Sequence, residues 1–326
     1  MARLICAGHA SCDLPFTPVD RDVFDKDTHF VKDAKVLTGG DALNSSVSLA
    51  RMGMGEDIRF VSVVGDDVFG KITTDYLLAH GIATDYIRVD PAAHSLVTVV
   101  LIDSFNERHF VCYGDAARKL TTKDVLSNIG EDTKYLHIGS FMSLDMLEGD
   151  NHRDMFRFAR EKGIHTSFDV NFDNEGKWIK KVEKGLPYTD LMFASYDEAV
   201  ALSGLRDPEE MGAFFQSKGV GSFVLKLGSK GCYATDFKTK YFIPTYTDMP
   251  VVDTTGAGDA FVAGYLYGLM NGFSMEACCI LGNVQGTLAV GELGSHSGTG
   301  DMQAVRNFIK KHGALTENGA KLLANL

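Results

Sequence analysis

The stretch 253–264 reads Asp253-Thr254-Thr255-Gly256-Ala257-Gly258-Asp259-Ala260-Phe261-Val262-Ala263-Gly264. An apolar run leads into it from Pro250, and small residues follow Asp259 at helical spacing, so the pattern predicts a loop that opens into a helix. Three small residues in a row let successive N–H groups converge at the helix N-terminus, where the helix dipole favours negative charge. The stretch therefore predicts a site for a phosphate.

Asp259 comes directly after this predicted anion site. An Asp at the start of a helix is most often an N-terminal cap. A carboxylate beside a bound phosphate can instead accept the proton of a substrate hydroxyl that lies in line with a γ-phosphate. Both interpretations fit the local pattern, and the rest of the chain has to decide between them.

Composition describes an ordinary globular protein. The 326 residues are 45% apolar and 23% charged, with a formal net charge of -11, which argues against a nucleic-acid partner. No apolar run reaches the roughly 18 residues that a membrane span needs, so no membrane partner is expected. The six cysteines include no C-x-x-C pair, which predicts buried thiols and a reducing, cytoplasmic location.

Strand-like and helix-like segments alternate from the N-terminus onward. Predicted strands include 3–8, 58–64, 135–138, 164–170, 191–194 and 220–227. Such alternation predicts an α/β fold with a doubly wound, mainly parallel central sheet flanked by helices. We expect one domain over residues 1–326, with a small β-sheet lid inserted from about 12–37 and 95–114, the latter carrying a hairpin of 96–103 with 108–113.

Two segments near the N-terminus carry polar groups at predicted strand ends. Asp13 lies just after the first strand, where sugar hydroxyls could bind, although an Asp here is also typical of a turn. Gly39 and Gly40 precede a predicted helix and permit close approach of a ligand, and Asn44 can both donate to and accept from a hydroxyl. The segment 65–72 lacks the Ser or Thr of a P-loop and is interpreted as a strand-to-helix turn.

The two motifs, Gly39-Gly40-x-x-x-Asn44 and 253–264, together resemble the ribokinase, or PfkB, family of carbohydrate kinases. The likeness runs from Gly8 to about Ile309 and implies the ribokinase-like fold. It implies that Asp259 is the general base and that the amides of Gly256, Ala257 and Gly258 form an anion hole. It also implies a set of sugar contacts: Ser11, Asp13, Gly39, Gly40, Asp41 and Asn44.

The resemblance also implies where ATP and metal ions bind. Glu198 would hold Mg2+ through water, within a motif in which Ser195 replaces the family's Asn. A monovalent cation, expected to be potassium, would bind at Asp253, the carbonyl of Thr255, and Ala289 and Gly294 in the loop 289–298. The implied nucleotide-binding residues are Ser195, Lys226, Gly228, Ser229, Gly231 and Asn283.

The departures from the family bear on the substrate. Asp41 stands where ribokinases carry a lysine and would repel a sugar phosphate, so a small neutral sugar, fructose-like or ribose-like, is expected. Two alternatives stay open: a nucleoside kinase, and a sugar-binding regulatory protein with weak catalysis. An exposed edge of the lid predicts a homodimer through the lid.

Overall fold

Nine strands form the central sheet within residues 3–105 and 107–317, the part of the chain that this computed structural model describes. Their order across the sheet is β14-β13-β12-β11-β10-β9-β1-β5-β6. All pairs are parallel except those that β13 makes with β12 and with β14. The strands of both sheets are β1 (Leu4–Ala7), β2 (Ser11–Thr17), β3 (Asp33–Ala34), β4 (Leu37–Gly39), β5 (Ile58–Gly65), β6 (Ile87–Asp90), β7 (Leu96–Ile102), β8 (Arg108–Tyr113), β9 (Tyr135–Ile138), β10 (His165–Asp169), β11 (Leu191–Ser195), β12 (Phe223–Lys226), β13 (Cys232–Thr235) and β14 (Lys240–Ile243).

Helices cover both faces of this sheet because its central strands are apolar on both sides. In β1, Leu4 and Cys6 point into one core, and Ile5 and Ala7 point into the other. Burying one large aliphatic side chain contributes about 1.5–3 kcal/mol to the free energy of folding. Because both faces of the sheet bury such side chains, each helical layer is held by its own core. The helices are α1 (Asp41–Leu49), α2 (Val68–Ala79), α3 (Thr122–Leu126), α4 (Asp150–Glu161), α5 (Ile179–Val182), α6 (Tyr196–Ser203), α7 (Pro208–Ser217), α8 (Ala257–Met270), α9 (Met275–Ala289) and α10 (Met302–His312).

The two helical layers divide as a doubly wound fold requires. Side chains of α1, α8 and α9 share the core that contains Leu4. Side chains of α4, α6 and α7 share the core that contains Ile5. The predicted α/β fold class is confirmed, and the predicted strands agree with the observed ones to within three residues at each end.

A second sheet contains β2, β3, β4, β7 and β8. β2 pairs with β7 in parallel, and β7 and β8 form the antiparallel hairpin predicted over 96–103 and 108–113. These strands come from 11–39 and 96–113, close to the two segments expected to form a lid. From His109 to Tyr113 every residue of β8 is exposed, so one face of this sheet has no covering layer within the described chain.

Two predictions about individual segments have different outcomes. The turn at 65–72 joins β5 to α2, and Asp67 caps that helix by accepting hydrogen bonds from the amides of Phe69 and Gly70. The prediction that all cysteines are buried is wrong for Cys112, which lies on the exposed strand β8. Within residues 3–105 and 107–317, no helix has the length and apolar character needed to cross a bilayer.

Candidate active site

Two cavities lie at the carboxyl ends of the central strands and share the first turn of α8. The larger cavity, of about 660 Å³, is lined by Gly256 and Asp259. The second cavity, of about 390 Å³, is lined by Ala257 and Gly258. Consecutive residues of one turn therefore face two separate binding spaces. Ligands of open α/β sheets bind at this end of the strands.

The turn itself depends on Gly256, which precedes the first residue of α8. Its φ of 75° lies in the left-handed region, and a Cβ atom there would collide with the carbonyl of Ser295. The Ala257 amide closes the turn on the carbonyl of Thr254 over 3.3 Å. Gly258 is the second residue of α8, so its amide belongs to the group that a helix leaves without an intrahelical partner. An anion fits this arrangement.

Asp259 is buried beside this turn. Its Oδ2 accepts a 2.7 Å hydrogen bond from Asn44 Nδ2, and its carbonyl accepts one from the Ser45 hydroxyl over 3.1 Å. Burial raises the pKa of the Asp259 carboxyl well above its usual value, and the Asp41 carboxylate raises it further, whereas the bond from Asn44 lowers it. No capping bond from the Asp259 side chain to α8 is among its contacts, and a raised pKa suits a proton acceptor.

A chain of hydrogen bonds behind Asn44 fixes the orientation of its amide. Asn44 Oδ1 lies 3.0 Å from His296 Nδ1, and His296 Nε2 lies 2.8 Å from the Tyr76 hydroxyl. Burial lowers the pKa of His296 to about 3, so the ring is neutral. Asn44 donates to Asp259 through Nδ2, so the atom that it turns toward His296 is the acceptor Oδ1. The proton of the neutral ring is therefore on Nδ1, which donates to Asn44, and Nε2 accepts from the Tyr76 hydroxyl. His296 and Tyr76 belong to no recognised motif and were missed from the sequence.

The residues expected to contact a sugar gather around the larger cavity. Ser11, Asp13, Gly40, Asp41 and Asn44 all line it, whereas Gly39 does not. A side chain at Gly39 would collide with the Asp13 carboxylate, so this glycine makes room for Asp13. Ser11 Oγ donates to Asp13 Oδ1 over 2.8 Å, and burial raises the pKa of Asp13 to about 6.

Lys226 ends β12 and brings a positive charge to the turn of α8. Its Nζ contacts Asp169 Oδ1 at 2.7 Å and Oδ2 at 2.6 Å, and lies 3.3 Å from where a Cβ on Gly258 would be. Burial opposes the charge of Lys226, but the carboxylates of Asp169 and Glu198 outweigh it and raise the pKa of the amine. A lysine cation therefore lies next to the candidate anion site.

Glu198 and Ser195 form a reciprocal cap at the start of α6. Glu198 Oε2 accepts from the Ser195 amide over 2.7 Å, and the Glu198 amide donates to Ser195 Oγ over 3.4 Å. Burial raises the pKa of Glu198 to about 7. Neither residue lines the two cavities, although the charges of Lys226 and Asp169 both act on Glu198.

The second cavity contains most of the residues expected to bind a nucleotide, namely Lys226, Gly228, Ser229, Gly231 and Asn283. Asn283 Nδ2 donates to the carbonyls of Ile243 and Pro244, which fixes the wall of the cavity between α9 and β14. The wall is otherwise largely apolar, with Met249, Val251 and Phe261 among its members. An apolar slot with a few placed polar groups is typical of a cofactor or nucleotide site.

The segment expected to bind a monovalent cation has a different arrangement. Asp253 Oδ1 lies 3.0 Å from Arg108 Nη2 and accepts from the Thr255 amide over 2.7 Å. Asp253 Oδ2 accepts from the Gly294 amide over 2.9 Å. Ala289 ends α9, and Gly294 presents an N–H group to Asp253. The carboxylate expected to bind potassium thus already has a guanidinium beside it, which sequence reasoning missed.

Comparisons with known proteins find a matching family and named relatives. A model of the pfkB family carbohydrate kinases matches residues 1–301. The Arabidopsis thaliana protein named "Probable fructokinase-6, chloroplastic" is 29% identical over an alignment of 256 positions. The alignment covers 74% of this chain and 64% of that protein, so less than two thirds of that relative is matched. A 5-dehydro-2-deoxygluconokinase of Clostridium perfringens is 28% identical over 291 residues, covering 84% of each chain.

A solved structure has a similar fold over almost the whole chain. It is a protein from E. coli described as "a putative Ribokinase II in complex with ATP and Mg+2". Its TM-score is 0.83 at 25% identity, and the match covers 96% of this chain and 100% of the other.

Proposed function

Because the chain belongs to the pfkB family of carbohydrate kinases, we propose that it transfers the γ-phosphoryl group of ATP to a primary hydroxyl of a small neutral sugar, fructose-like or ribose-like. The observation that carries this proposal is the division of one helix turn between two cavities. Asp259 and Gly256 face the cavity with the hydroxyl-binding side chains, and Ala257 and Gly258 face the apolar cavity. A phosphoryl group on this turn is within reach of both ligands.

In the proposed reaction, the sugar oxygen forms a bond to the γ-phosphorus while the bond to the bridging oxygen of ADP breaks. The Asp259 carboxylate accepts the proton of the sugar hydroxyl. The Gly258 amide at the start of α8 and the Lys226 amine stabilise the negative charge on the phosphoryl oxygens, whereas the Ala257 amide donates to the Thr254 carbonyl and shapes the turn. Asn44 orients the Asp259 carboxylate, because its Nδ2 bond fixes one of the two carboxylate oxygens.

Mg2+ would be held by oxygen ligands on the side of Lys226. Glu198 uses Oε2 for the α6 cap, so Oε1 is the atom that would hold a water of the ion, with Asp169 as the neighbouring carboxylate. Carboxylates that keep the waters of Mg2+ are the common protein ligands for this ion. When bound, Mg2+ neutralises charge on the phosphates of ATP. Ser195 replaces an Asn of the family motif and supports the site through the cap.

Asp41 supports a sugar without a phosphate group. It starts α1, lines the larger cavity, and its charge acts on Asp259. A substrate phosphate beside Asp13, Asp41 and Asp259 would meet three carboxyl groups, and like charges at close range are costly. The two cations that line the same cavity are already paired, Arg118 with Asp145 and Lys181 with Glu148 and Asp173.

A nucleoside is the second candidate substrate, and Phe110 is the observation that favours it. Phe110 lies in the wall of the larger cavity with Leu96 and is 55% exposed, so its ring is available to stack on a base. A sugar-binding regulatory protein with weak catalysis is the third alternative, and an assay has to distinguish it from the two kinases.

We infer that the second sheet acts as a lid over the larger cavity and also joins two copies of the chain. Strand β8 exposes Phe110, Val111 and Tyr113, and Phe105 in the preceding turn is 84% exposed. An exposed apolar strand at the edge of a sheet favours pairing with a second copy. The exposed free thiol of Cys112 on the same strand supports a reducing, cytoplasmic location.

The test is an ADP-release assay with ATP and Mg2+ against fructose, ribose, other ketohexoses, 2-keto-3-deoxygluconate and nucleosides. Turnover with a neutral sugar is the expected result. Preference for adenosine or inosine would replace the sugar with a nucleoside. Sugar binding by calorimetry with no ADP formed would identify a regulatory protein, and no binding of any acceptor would contradict the proposal.

A further inference from the structure

Arg108 connects the second sheet to the loop that leads into α8. It is the first residue of β8, and its Nη2 lies 3.0 Å from Asp253 Oδ1. The side chains are only 18% and 5% exposed, respectively, so the pair is largely shielded from water. Shielded ion pairs are screened by salt much less than surface pairs are.

Asp253 is a junction between three segments of the chain. One oxygen accepts from the Thr255 amide, directly before the Gly256 turn, and the other accepts from the Gly294 amide. The loop that contains Gly294 also supplies the Ser295 carbonyl, which packs against Gly256. Asp253 therefore bonds to both segments that meet at the Gly256 turn.

The sequence predicted a monovalent metal ion at Asp253. The residues around this carboxylate do not fit such an ion. Both carboxylate oxygens already accept hydrogen bonds from backbone amides, Oδ1 from Thr255 and Oδ2 from Gly294. The Oδ1 atom already faces a guanidinium, so an added cation would be held close to a second positive charge. The charge that Asp253 requires is supplied by the chain.

We propose that Arg108 is a built-in cation that takes the place of a monovalent metal ion at Asp253 and holds the 253–258 loop in its phosphate-binding conformation. Arginine suits this role because its guanidinium stays charged and donates several hydrogen bonds in a fixed plane. Since Arg108 is carried by the second sheet, docking of that sheet and ordering of the loop become one event. The catalytic part of this inference rests on the proposed kinase function, whereas the binding part does not.

The first experiment measures the wild-type protein in KCl and in choline chloride at equal ionic strength. We expect kcat/KM to agree within about twofold, because general screening is the same in both salts. We also expect the same melting temperature in both. Potassium-specific stimulation of tenfold or more, or a potassium-specific rise in melting temperature, would overturn the proposal.

The second experiment uses Arg108→Ala, which leaves Asp253 shielded and without its cation. We expect kcat/KM in choline chloride to fall by about 100-fold, the size of effect that a slightly misplaced catalytic group produces. KCl should then restore part of the activity and raise the melting temperature, because an ion that binds only the folded state stabilises it. Equal behaviour of the variant in both salts would contradict the proposal.

Two further variants, with melting temperature as a second measurement, separate the role of Arg108 from general effects on folding and from the kinase reaction. Lys26→Ala removes an exposed cation that pairs with Asp22 in the 11–39 segment. Its kcat/KM and its melting temperature should be the same in KCl and in choline chloride. Arg108→Lys keeps the charge but loses the planar group, so we expect a smaller loss than in Arg108→Ala. If no sugar is phosphorylated by any form, the kinase proposal fails, whereas the melting temperatures still decide the role of Arg108.

Discussion

Asn44 Nδ2 donates a 2.7 Å hydrogen bond to Asp259 Oδ2, which joins the two sequence motifs of the family across 215 residues of chain. Both side chains are buried, and Asn44 is held in turn by neutral His296. The first motif therefore orients the proposed proton acceptor and also lines the larger cavity. Asp259 lines the larger cavity, and we propose that its other oxygen, Oδ1, accepts the proton of a substrate hydroxyl there.

Replacement of Asp259 by Asn should abolish turnover and leave sugar binding intact. An Asn still accepts from Asn44 but takes up no proton. We therefore expect kcat to fall by about 100-fold to 10,000-fold, the usual contribution of a general base. ADP release gives kcat, and calorimetry gives the sugar Kd. Asp66→Asn, at an exposed position, is the matched control. Near-normal turnover in Asp259→Asn would show that another group accepts the proton.

Asn44→Ala should change the pH dependence as well as the rate. Burial raises the pKa of Asp259 and the Asn44 bond lowers it, so removal of the amide raises that pKa further. The base must be ionised to act, and activity is lost as pH falls through its pKa. The acid limb of kcat/KM should therefore move to higher pH. A lower rate with an unchanged pH profile would mean that Asn44 acts only on the sugar.

Lys226→Met should destabilise the protein, because it leaves Asp169 buried without its cation. Breaking a buried ion pair by removing one partner costs about 3–5 kcal/mol, whereas replacing both partners with apolar residues is often close to neutral. We expect Lys226→Met/Asp169→Leu to recover most of the free energy of unfolding measured in urea, but not the KM for ATP. Normal ATP kinetics in a folded Lys226→Met variant would exclude Lys226 from the phosphate site.

Glu198→Gln should change how stability depends on pH in the ligand-free protein. The folded-state pKa of Glu198 is about 7 against an ordinary 4.5, because burial disfavours the charge. The stabilising contribution of the protonated form is present below the ordinary pKa and is lost as pH rises through about 7. The melting temperature of Glu198→Gln relative to wild type should therefore rise between about pH 4.5 and pH 7 and level off above that, because only in this window does folded wild type hold a proton that the unfolded chain has released.

The same variant tests magnesium. Glu198→Gln should need more Mg2+ for half-maximal activity, and EDTA should stop turnover of the wild type. Asp197→Asn, next to Glu198 on α6, is the control. An unchanged Mg2+ requirement in Glu198→Gln would place the ion elsewhere.

Local patterns predicted most of the fold, whereas the family resemblance implied most of the candidate residues that line the two cavities. The alternation of apolar strands and helices fixed the α/β class, and the small residues at 256–258 predicted the turn of α8 before Asp259. These features depend on neighbours in sequence. The burial of Cys112 was predicted wrongly because an apolar-looking strand with one uncovered face has the same pattern as a buried one.

Long-range pairings were beyond the sequence. Nothing near Asn44 indicates that its amide contacts Asp259, and nothing near His296 or Tyr76 marks them as its supports. Arg108 looks like the first residue of an ordinary hairpin strand, and its contact with Asp253 follows only from the position of the second sheet. His296 lies in the loop 289–298, for which the family resemblance implies a cation site and no contact with Asn44.

The division of the α8 turn between two cavities has an evolutionary consequence. Thr255, Gly256 and Asp259 line the larger cavity, which we propose holds the phosphoryl acceptor, and Ala257 and Gly258 line the apolar cavity, which we propose holds the donor. Mutations in β2, in the segment after β9 or in β8 can reshape the first side without touching the second. A lineage built on this turn can exchange one acceptor for another while the same phosphoryl donor and the same chemistry are inherited.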